Sequence, residues 1–323
     1  MRISETDMLA AQTLIRSAKK IVIISHKGPD GDTIGANLAL HLALKHQLHK
    51  QVVSACADRP PSNTHFLPEV SEIVPDFDLK WADLIIAVDC GAAYMMKFNE
   101  TKPEIFSGHP PLLNIDHHAS NENFGKVNLV DSTCAAACQI IYRFLNFCEL
   151  KIDRKIATCL LNGLYFDTGS FMHSNTTPEV LEIASSLLWK GADFKTIARH
   201  QFHTMSISQL KIYGKILERA HLNSKTMVIS ALTSADFRAT GTSSHDASGS
   251  IDYLNSIPDS EFCCLLYEDN KGLLKGSFRS RADDIDLSRL AGLFGGGGHK
   301  KAAGFSMPGR LLETDKHIKI NKK

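Results

Sequence analysis

The chain has 323 residues, a length that suits about two domains rather than one small core. Hydrophobic residues make up 43% and charged residues 22%, which is typical of a soluble globular protein and excludes a largely disordered chain. The formal net charge of +1 excludes a broad surface for polyanions, so a nucleic-acid partner should be short or held locally.

Membrane and secretory segments are not predicted. No run reaches about 18 consecutive apolar residues, the length of a membrane span. The start MRISETDMLAAQTLI lacks a basic segment followed by an apolar core and a cleavage site, so we expect no signal peptide and a cytoplasmic location. The eight cysteines form no CxxC pair, and we expect small buried thiols in a reducing compartment.

The first two-thirds of the chain alternates short apolar runs with helical patterns. We predict strands at 21–25, 51–55, 84–89 and 111–116, with a helix at 33–46. The strand runs are continuously apolar, as in a parallel sheet covered on both faces. The pattern predicts an α/β domain with a doubly wound, mostly parallel sheet.

Helices are predicted at 133–147, 153–166 and 178–189, followed by a polar helical connector at 194–222. After residue 222 the pattern changes to short strands with turns between them. Later elements are strands at 225–232, 261–269 and 272–280, a helix at 286–294 with Asp286 as N-cap, a glycine run and a strand at 302–305. The last third is therefore predicted to be a smaller, more β-rich α/β domain.

Acidic and imidazole side chains gather where the predicted strands end and near the end of one helix: His26, Asp30, Asp32, Asp89, Asp116, His117, His118 and Asp167. A single aspartate at such a place is more often a helix N-cap. Several clusters are harder to explain that way, because ligands bind at the carboxyl ends of parallel strands and neighbouring carboxylates raise one another's pKa values. Divalent cations relieve that repulsion. The pattern therefore predicts a metal site, and its size predicts two metals.

The ligand types narrow the choice of metal. Imidazole and carboxylate without thiolate suit Mn, Fe, Co or Zn better than Mg or Ca. We expect two Mn²⁺ per chain, with Mg²⁺ or Co²⁺ as substitutes. Two metals about 3.5–4 Å apart are a common device for in-line phosphoryl displacement. One carboxylate must bridge them, and Asp89 or Asp167 fits that place.

Five motifs carry a family resemblance. SHKGPDGDTIG at 25–35, VDCG at 88–91, IDHH at 115–118 and FDTGSF at 166–171 resemble the four metal-site motifs of the DHH phosphoesterases. GGGGHKKAAGF at 295–305 resembles the glycine-rich signature of their DHH-associated C-terminal domain. Each motif alone is weak evidence for the family, but five motifs in the order of the family are strong evidence. The order of the motifs and the length of the chain most resemble the oligoribonuclease (nanoRNase) and pAp-phosphatase branch of this family. Here pAp is 3′-phosphoadenosine 5′-phosphate.

The resemblance implies a role for each clustered residue. It implies one Mn²⁺ on His26 and Asp30, the other on Asp32 and His117, Asp89 as the bridge and Asp167 completing the site. His118 would be catalytic, contacting the scissile phosphate or protonating the leaving oxygen. Asp116 would orient a ligand, with a strand-end cap as the equally weighted alternative.

The resemblance also implies substrate contacts in the second domain. These contacts would come from Arg279, which can donate two hydrogen bonds to a phosphate, and from the loop Gly296, Gly297, Gly298 and His299. The alternative for the glycine run is a flexible loop without a ligand. Many relatives carry an arginine shortly after the fourth motif, where this chain has Met172 and His173. His173 either takes a phosphate role or that contact is absent. The implied domains are 1–193 (catalytic, metal-binding), 194–222 (connector), 223–310 (substrate-binding) and 311–323 (polar tail).

The expected activity is hydrolysis of short oligoribonucleotides to nucleoside monophosphates, with dephosphorylation of pAp. The nearest alternative is a phosphodiesterase for pApA or cyclic di-AMP, which the sequence separates poorly. A pyrophosphatase or polyphosphatase is disfavoured because that branch has a different C-terminal domain, and the GGGGH run at 295–299 argues against it. A catalytically silent nucleotide- or RNA-binding module is disfavoured because all six candidate ligands are present. The sequence leaves the oligomeric state open, a homodimer included.

Overall fold

The computed structural model describes residues 3–202, 205–269, 272–313 and 318–321. The chain divides into two compact units between residues 204 and 205. Within the predicted connector 194–222, the helix Phe194–Phe202 belongs to the first unit and the helix Ile207–Glu218 to the second.

The first unit is built on a five-stranded parallel sheet. Its strands are Lys20–Ser25 (β1), Gln51–Ala55 (β2), Leu84–Val88 (β3), Leu112–Asp116 (β4) and Val127–Val130 (β5), in the order β2-β1-β3-β4-β5. Its helices are Glu5–Ser17 (α1), Gly31–His46 (α2), Phe98–Thr101 (α3), Ala137–Phe147 (α4), Arg154–Asp167 (α5), Pro178–Trp189 (α6) and Phe194–Phe202 (α7). Short 3-10 helices lie at Ser62–Thr64, Val70–Glu72, Leu79–Trp81, Ala93–Met96 and Pro103–Phe106.

Both faces of this sheet are covered. Alternate residues of β1 enter two separate cores: Ile21 and Ile23 pack under the long helices, and Val22 and Ile24 pack under the short helical segments that follow β2 and β3. Strands buried on both faces must be apolar throughout, which explains the continuous apolar runs in the sequence. The predicted fold class, a doubly wound and mostly parallel α/β sheet with a smaller second domain, is confirmed.

Helix α2 is the central helix of the first unit. Its residues from Gly31 to Leu44 are all buried, because it packs between the sheet and helices α4 and α5. Helices α2 and α5 approach closely: a Cβ added at Gly35 would lie 2.5 Å from the carbonyl oxygen of Cys159. Glycine is therefore required at this crossing although it disfavours helix.

The structure moves some predicted boundaries. Strand β5 was not predicted; it is a short edge strand whose residues, apart from Leu129, are only partly buried. Strand β3 ends at Val88, because Asp89 adopts a left-handed backbone with φ of 56°. The helix predicted at 133–147 begins only at Ala137, because Asp131 accepts hydrogen bonds from the Thr133 backbone and hydroxyl and holds a turn there.

The second unit contains a six-stranded sheet in the order β10-β11-β9-β8-β7-β6 and a separate β12-β13 pair. The strands are His221–Leu222 (β6), Met227–Leu232 (β7), Phe262–Glu268 (β8), Leu273–Ser280 (β9), Gly297–His299 (β10), Ala302–Pro308 (β11), Arg310–Glu313 (β12) and Ile318–Asn321 (β13). The helices are Ile207–Glu218 (α8), Ser234–Thr240 (α9), Ile251–Leu254 (α10) and Leu287–Gly292 (α11), with a 3-10 helix at Ser244–Ala247. Only β7 and β8 pair in parallel among the described strands of the larger sheet.

Two hydrophobic cores and a smaller third cluster of Ala231, Leu274 and Leu311 lie against this sheet. Helices α8, α9 and α10 pack on one face with Val228 and Leu265, and α11 packs on the other with Cys264 and Phe278. The predicted glycine run is partly a strand, since Gly297–His299 pairs with β11. Part of the predicted tail, residues 314–317 and 322–323, lies outside the described residues.

Two further sequence expectations can be compared with the structure. All eight cysteines are free, and seven are buried, as predicted. Among the described residues, no helix combines the length and the apolar character needed to cross a membrane.

Candidate metal centre

The candidate site lies at the carboxyl edge of the parallel sheet. Ser25 of β1 pairs with Val88 of β3, and Val88 pairs with Ile115 of β4. His26, Asp89 and Asp116 therefore follow three neighbouring strands at the same height. The register alone brings the first, second and third motifs together, as expected for the ligand-binding edge of such a sheet.

The loop after β1 places two carboxylates around the start of α2. Asp30 is the N-cap, and its Oδ1 accepts hydrogen bonds from the backbone N–H groups of Asp32 and Thr33 at 3.0 and 3.1 Å. Its other oxygen lies 3.9 Å from Nε2 of His26. His26 Nδ1 lies 2.9 Å from the carbonyl oxygen of Lys27, and this contact turns Nε2 toward the cluster.

Asp89 lies at the centre of the site and is 2% exposed. Its Oδ2 is 3.4 Å from Nε2 of His26, and its Oδ1 is 3.4 Å from Nε2 of His117. Oδ1 is also 3.7 Å from Nδ1 of His118 but has no hydrogen-bond partner among the described residues. A buried carboxylate oxygen in that state is costly without a ligand, so Asp89 fits a bridging metal ligand.

Asp32 is held by the N-terminus of another helix. Its Oδ2 accepts a hydrogen bond from the backbone N–H of Ala137 at 2.6 Å, and its Oδ1 accepts one from Cys138 at 3.1 Å. These are the first residues of α4, whose dipole favours a negative charge at this end. The carboxylate is completely buried and fixed by residues more than one hundred positions away.

His117 and Asp167 complete the cluster. Asp167 is the last residue of α5, and its Oδ2 lies 3.2 Å from Nε2 of His117. His117, Asp32 and Asp167 form one group whose ligand atoms lie within 4.8 Å of one another. His26, Asp30 and Asp89 form a second such group. A third group joins Asp89 to His117 and His118 and so links the first two. These donor types suit a two-metal site.

His118 is oriented by a buried polar chain. Asp116 Oδ1 lies 2.7 Å from His118 Nδ1, and Asp116 Oδ2 accepts a hydrogen bond from the His118 backbone N–H at 3.2 Å. Asn121 donates to the same Oδ2 at 2.5 Å and to the carbonyl oxygen of Cys90 at 3.1 Å. Asn121 was not among the residues predicted from the sequence, although its place three residues after the DHH motif was a signal.

The carboxylates of this cluster repel one another. Burial, with the charge of Asp89, raises the pKa of Asp32 to about 7, while His117 partly offsets this. Burial and the Asp89 charge also raise the pKa of Asp30, and burial with the Asp32 charge raises that of Asp167 well above its usual range. For Asp30, Asp32 and Asp167 the protein alone therefore supplies too little positive charge, which is the state that divalent cations stabilise.

The aspartates also raise the pKa of an imidazole in this cluster, and the imidazoles lower the pKa of one aspartate. Burial by itself would lower the pKa of His26, but Asp89 and Asp30 outweigh it and raise the pKa to about 10. Burial by itself would raise the pKa of Asp89, but His117 and His26 hold it well below its usual range. The donor set and its charges thus fit a pair of divalent metals.

The residue after the fourth motif also lies at this edge. His173 Nδ1 lies 3.4 Å from the carbonyl oxygen of Asp167, and its ring covers Gly169 so closely that an added Cβ would lie 2.2 Å from Nε2. The imidazole is exposed. His173 is therefore placed beside the cluster but is not part of it.

The other predicted substrate residues lie in the second unit. Arg279, near the end of β9, hydrogen-bonds through Nη1 to the carbonyl oxygen of Phe278 at 3.0 Å, and its Nε lies 3.6 Å from Asp252. Gly296 and Gly298 lie against β11: an added Cβ would meet the carbonyl oxygens of Gly304 and Ala302 at 2.1 and 2.5 Å.

The remaining members of the predicted loop are exposed. Gly297 and His299 lie on the surface of the edge strand, opposite Gly304 and Ala302 of β11. Packing of an edge strand therefore explains two of the glycines without a ligand, whereas Gly297 has no described atom within 4 Å of an added Cβ.

Both units match known domains. Residues 20–164 match the DHH family, N-terminal domain, and residues 225–320 match the DHHA1 domain. A Thermus thermophilus protein named bifunctional oligoribonuclease and PAP phosphatase NrnA is 32% identical over 94% of this chain and 89% of its own length. A Bacillus subtilis protein of the same name is 23% identical over 89% of each chain.

A solved structure supports the same relationship. An exopolyphosphatase-related protein from Bacteroides fragilis aligns with a TM-score of 0.86 and 28% identity. The alignment covers 94% of this chain and 91% of that one. The similarity therefore extends over both units.

Proposed function

The chain belongs to the DHH family and carries a DHHA1 domain, and on that premise we propose that it is a two-manganese phosphoesterase. Its proposed substrates are short oligoribonucleotides, hydrolysed to nucleoside monophosphates, and pAp, which it dephosphorylates. The observation that carries the proposal is the buried Asp89 carboxylate, which lies 3.4 Å from His26 of one group of candidate ligands and 3.4 Å from His117 of the other. The names of the two relatives supply the substrate classes.

The proposed ligands are the residues that the geometry brings together. His26 and Asp30 would hold one metal, His117 and Asp32 the other, with Asp89 shared and Asp167 completing the second group. Two divalent cations would neutralise the carboxylates, activate a water at neutral pH and stabilise the charge that develops on phosphorus. The α4 N-terminus holds Asp32 in one orientation, so the site is largely preorganised.

His118 is proposed as the residue that contacts the scissile phosphate or protonates the leaving oxygen. Its Nδ1 faces Asp116, which fixes the orientation of the ring. Burial by itself would lower the pKa of His118, but Asp116 and Asp89 outweigh it and raise the pKa. The imidazole is thereby kept able to donate a proton near neutral pH.

We expect Asn121→Ala to lower kcat by about 10- to 100-fold while the metal content stays unchanged. Without this amide, Asp116 Oδ2 loses its shortest hydrogen bond and the His118 ring loses its fixed orientation. Steady-state kinetics and metal analysis of the purified variant check this. A variant with normal kcat would remove Asn121 from the positioning chain, and one that loses metal would make its role structural.

We expect Arg279→Ala to raise KM more than it lowers kcat, because an arginine that grips a distal phosphate acts equally on the bound substrate and the transition state. The measurement is a full kinetic series on pAp and a dinucleotide. Arg281→Ala, whose Nη2 bonds the carbonyl oxygen of Ile257, is the matched control. A pure loss of kcat would instead assign Arg279 to the reacting centre.

The proposed function is tested by turnover with Mn²⁺ on a matched set of substrates. The set contains RNAs of two to about twenty-four nucleotides, pAp, pApA, cyclic di-AMP and pyrophosphate. Fast cleavage of the shortest RNAs together with pAp dephosphorylation supports the proposal. Preference for pApA or cyclic di-AMP would make the protein a signalling phosphodiesterase, preference for pyrophosphate a pyrophosphatase, and silence on all substrates a binding module.

The metal, the cellular location and the oligomeric state of the enzyme are addressed by further measurements and observations. Replacement of Mn²⁺ by Mg²⁺ or Co²⁺ in the same assay ranks the metals. Eight free cysteines suit the reducing cytoplasm, where we place the protein. Light scattering at assay concentration decides between a monomer and a homodimer.

A further inference from the structure

A second group of metal-ligating side chains lies on the first unit, outside the candidate metal centre. His41 in the C-terminal half of α2 faces Glu69 and Glu72, at the 3-10 helix Val70–Glu72. One ligand atom from each of the three lies within 4.8 Å of the others. His41 is nine residues after Asp32, which is about 13.5 Å along the helix axis. The two groups are therefore separate sites.

The imidazole of His41 is buried and aimed at the two carboxylates. Its side chain is 1% exposed, and Nε2 has no hydrogen-bond partner among the described residues. Nδ1 lies 2.9 Å from Oγ of Ser54, which fixes the ring. Nε2 is thereby directed at Glu69 and Glu72. A buried ring nitrogen without a partner is costly and indicates a missing ligand.

The distances match a metal coordination shell. His41 Nε2 lies 3.4 Å from Oε2 of Glu69 and 3.4 Å from Oε2 of Glu72. Zinc bonds of about 2.0–2.2 Å to nitrogen and oxygen, at tetrahedral angles, separate the ligand atoms by about 3.4 Å. The hydrogen bond at Nδ1 is also the usual support of a metal-bound histidine.

We propose that His41, Glu69 and Glu72 bind a divalent transition-metal ion of the zinc type, which ties α2 to the segment around residues 69–72. One imidazole and two carboxylates suit such an ion. Because α2 also carries Asp30 and Asp32, a metal here would stabilise the helix that presents those two carboxylates. The role is structural, and it does not depend on the proposed catalytic function.

The surrounding charges define how the ion would enter. Lys45 Nζ lies 3.1 Å from Glu69 Oε2 and 2.6 Å from Glu72 Oε2, so an ammonium now neutralises the same oxygens. The Lys45 side chain is 33% exposed and can turn into solvent. His46 Nε2 lies 3.0 Å from the other oxygen of Glu69, and Lys155 Nζ lies 3.8 Å from it. The ion therefore competes with Lys45.

The test counts Zn²⁺ bound per chain after equilibrium dialysis of the full-length protein. We expect Glu72→Gln to bind one Zn²⁺ fewer than the wild type, since Glu72 is 45% exposed on its side chain and its replacement leaves the fold intact. Lys45→Met should bind that ion at least about tenfold more tightly, because a competing charge is removed. Glu182→Gln, an exposed glutamate on α6, is the matched control and should bind as the wild type does.

Two further outcomes decide the inference. Zn²⁺ should raise the Tm of the wild type by more than that of Glu72→Gln, which reports the link between α2 and its neighbour. Equal Zn²⁺ counts in wild type and Glu72→Gln, with no tighter binding by Lys45→Met, would overturn the proposal. Ions at the candidate metal centre are common to all these proteins, so loss of the proposed catalytic function would not change the comparison.

Discussion

Asp89→Asn is expected to reduce kcat/KM by at least ~10³-fold with little loss of folded protein. Asp89 groups with His26 and Asp30 on one side and with His117 and His118 on the other, and its buried Oδ1 has no hydrogen-bond partner among the described residues. An amide supplies one neutral oxygen in place of two charged ones, so both metals lose a ligand and compensating charge. The measurement is turnover on pAp and a dinucleotide, together with metal content after dialysis.

Asparagine removes the charge of the side chain without straining the backbone at this position. Asp89 has φ of 56°, a left-handed conformation that asparagine tolerates and alanine does not. Asp78→Asn is the matched control, because Asp78 is an exposed N-cap and asparagine caps equally well. If Asp89→Asn turns over at the wild-type rate with both metals bound, Asp89 is not the bridge and the assignment of the centre is wrong.

Gly163→Ala should destabilise the first unit by about 2 kcal/mol and weaken metal binding. Gly163 lies inside α5, where an added Cβ would be 2.4 Å from Oδ1 of Asp32 and 2.4 Å from Sγ of Cys138. Asp32 cannot move freely, because the α4 N-terminus holds both of its oxygens. The methyl group therefore displaces either a metal ligand or helix α4. Urea unfolding and Mn²⁺ titration of the variant measure both effects.

Gly214→Ala provides the opposite case. Gly214 also lies inside a helix, α8, but no described atom lies within 4 Å of an added Cβ. Alanine is the better helix former, so this variant should be stabilised by up to about 1 kcal/mol. If Gly163→Ala behaves like Gly214→Ala, then the close packing of α2, α4 and α5 does not limit the site.

The sequence predicted the fold of the first unit well, because burial on both faces of a parallel sheet requires continuous apolar strands. Strand β5 was not predicted from the sequence, because it is an edge strand that is only partly buried and has a weaker apolar pattern. The sequence also misjudged the glycine run, where Gly297–His299 forms a strand. Glycine favours neither helix nor strand, so local propensity could not reveal that Gly296 and Gly298 lie flush against β11.

The sequence by itself determined which side chains gather at the sheet edge, because residues that follow parallel strands must meet there. Only the tertiary structure decided how they are held. The α4 N-terminus binds Asp32 from 105 residues away, and His41 meets Glu69 across separate elements. Such contacts arise from helix packing, which depends on the three-dimensional path of the chain and leaves no local periodicity in the sequence. Glycines at helix crossings, such as Gly35 and Gly163, are explained only by that packing.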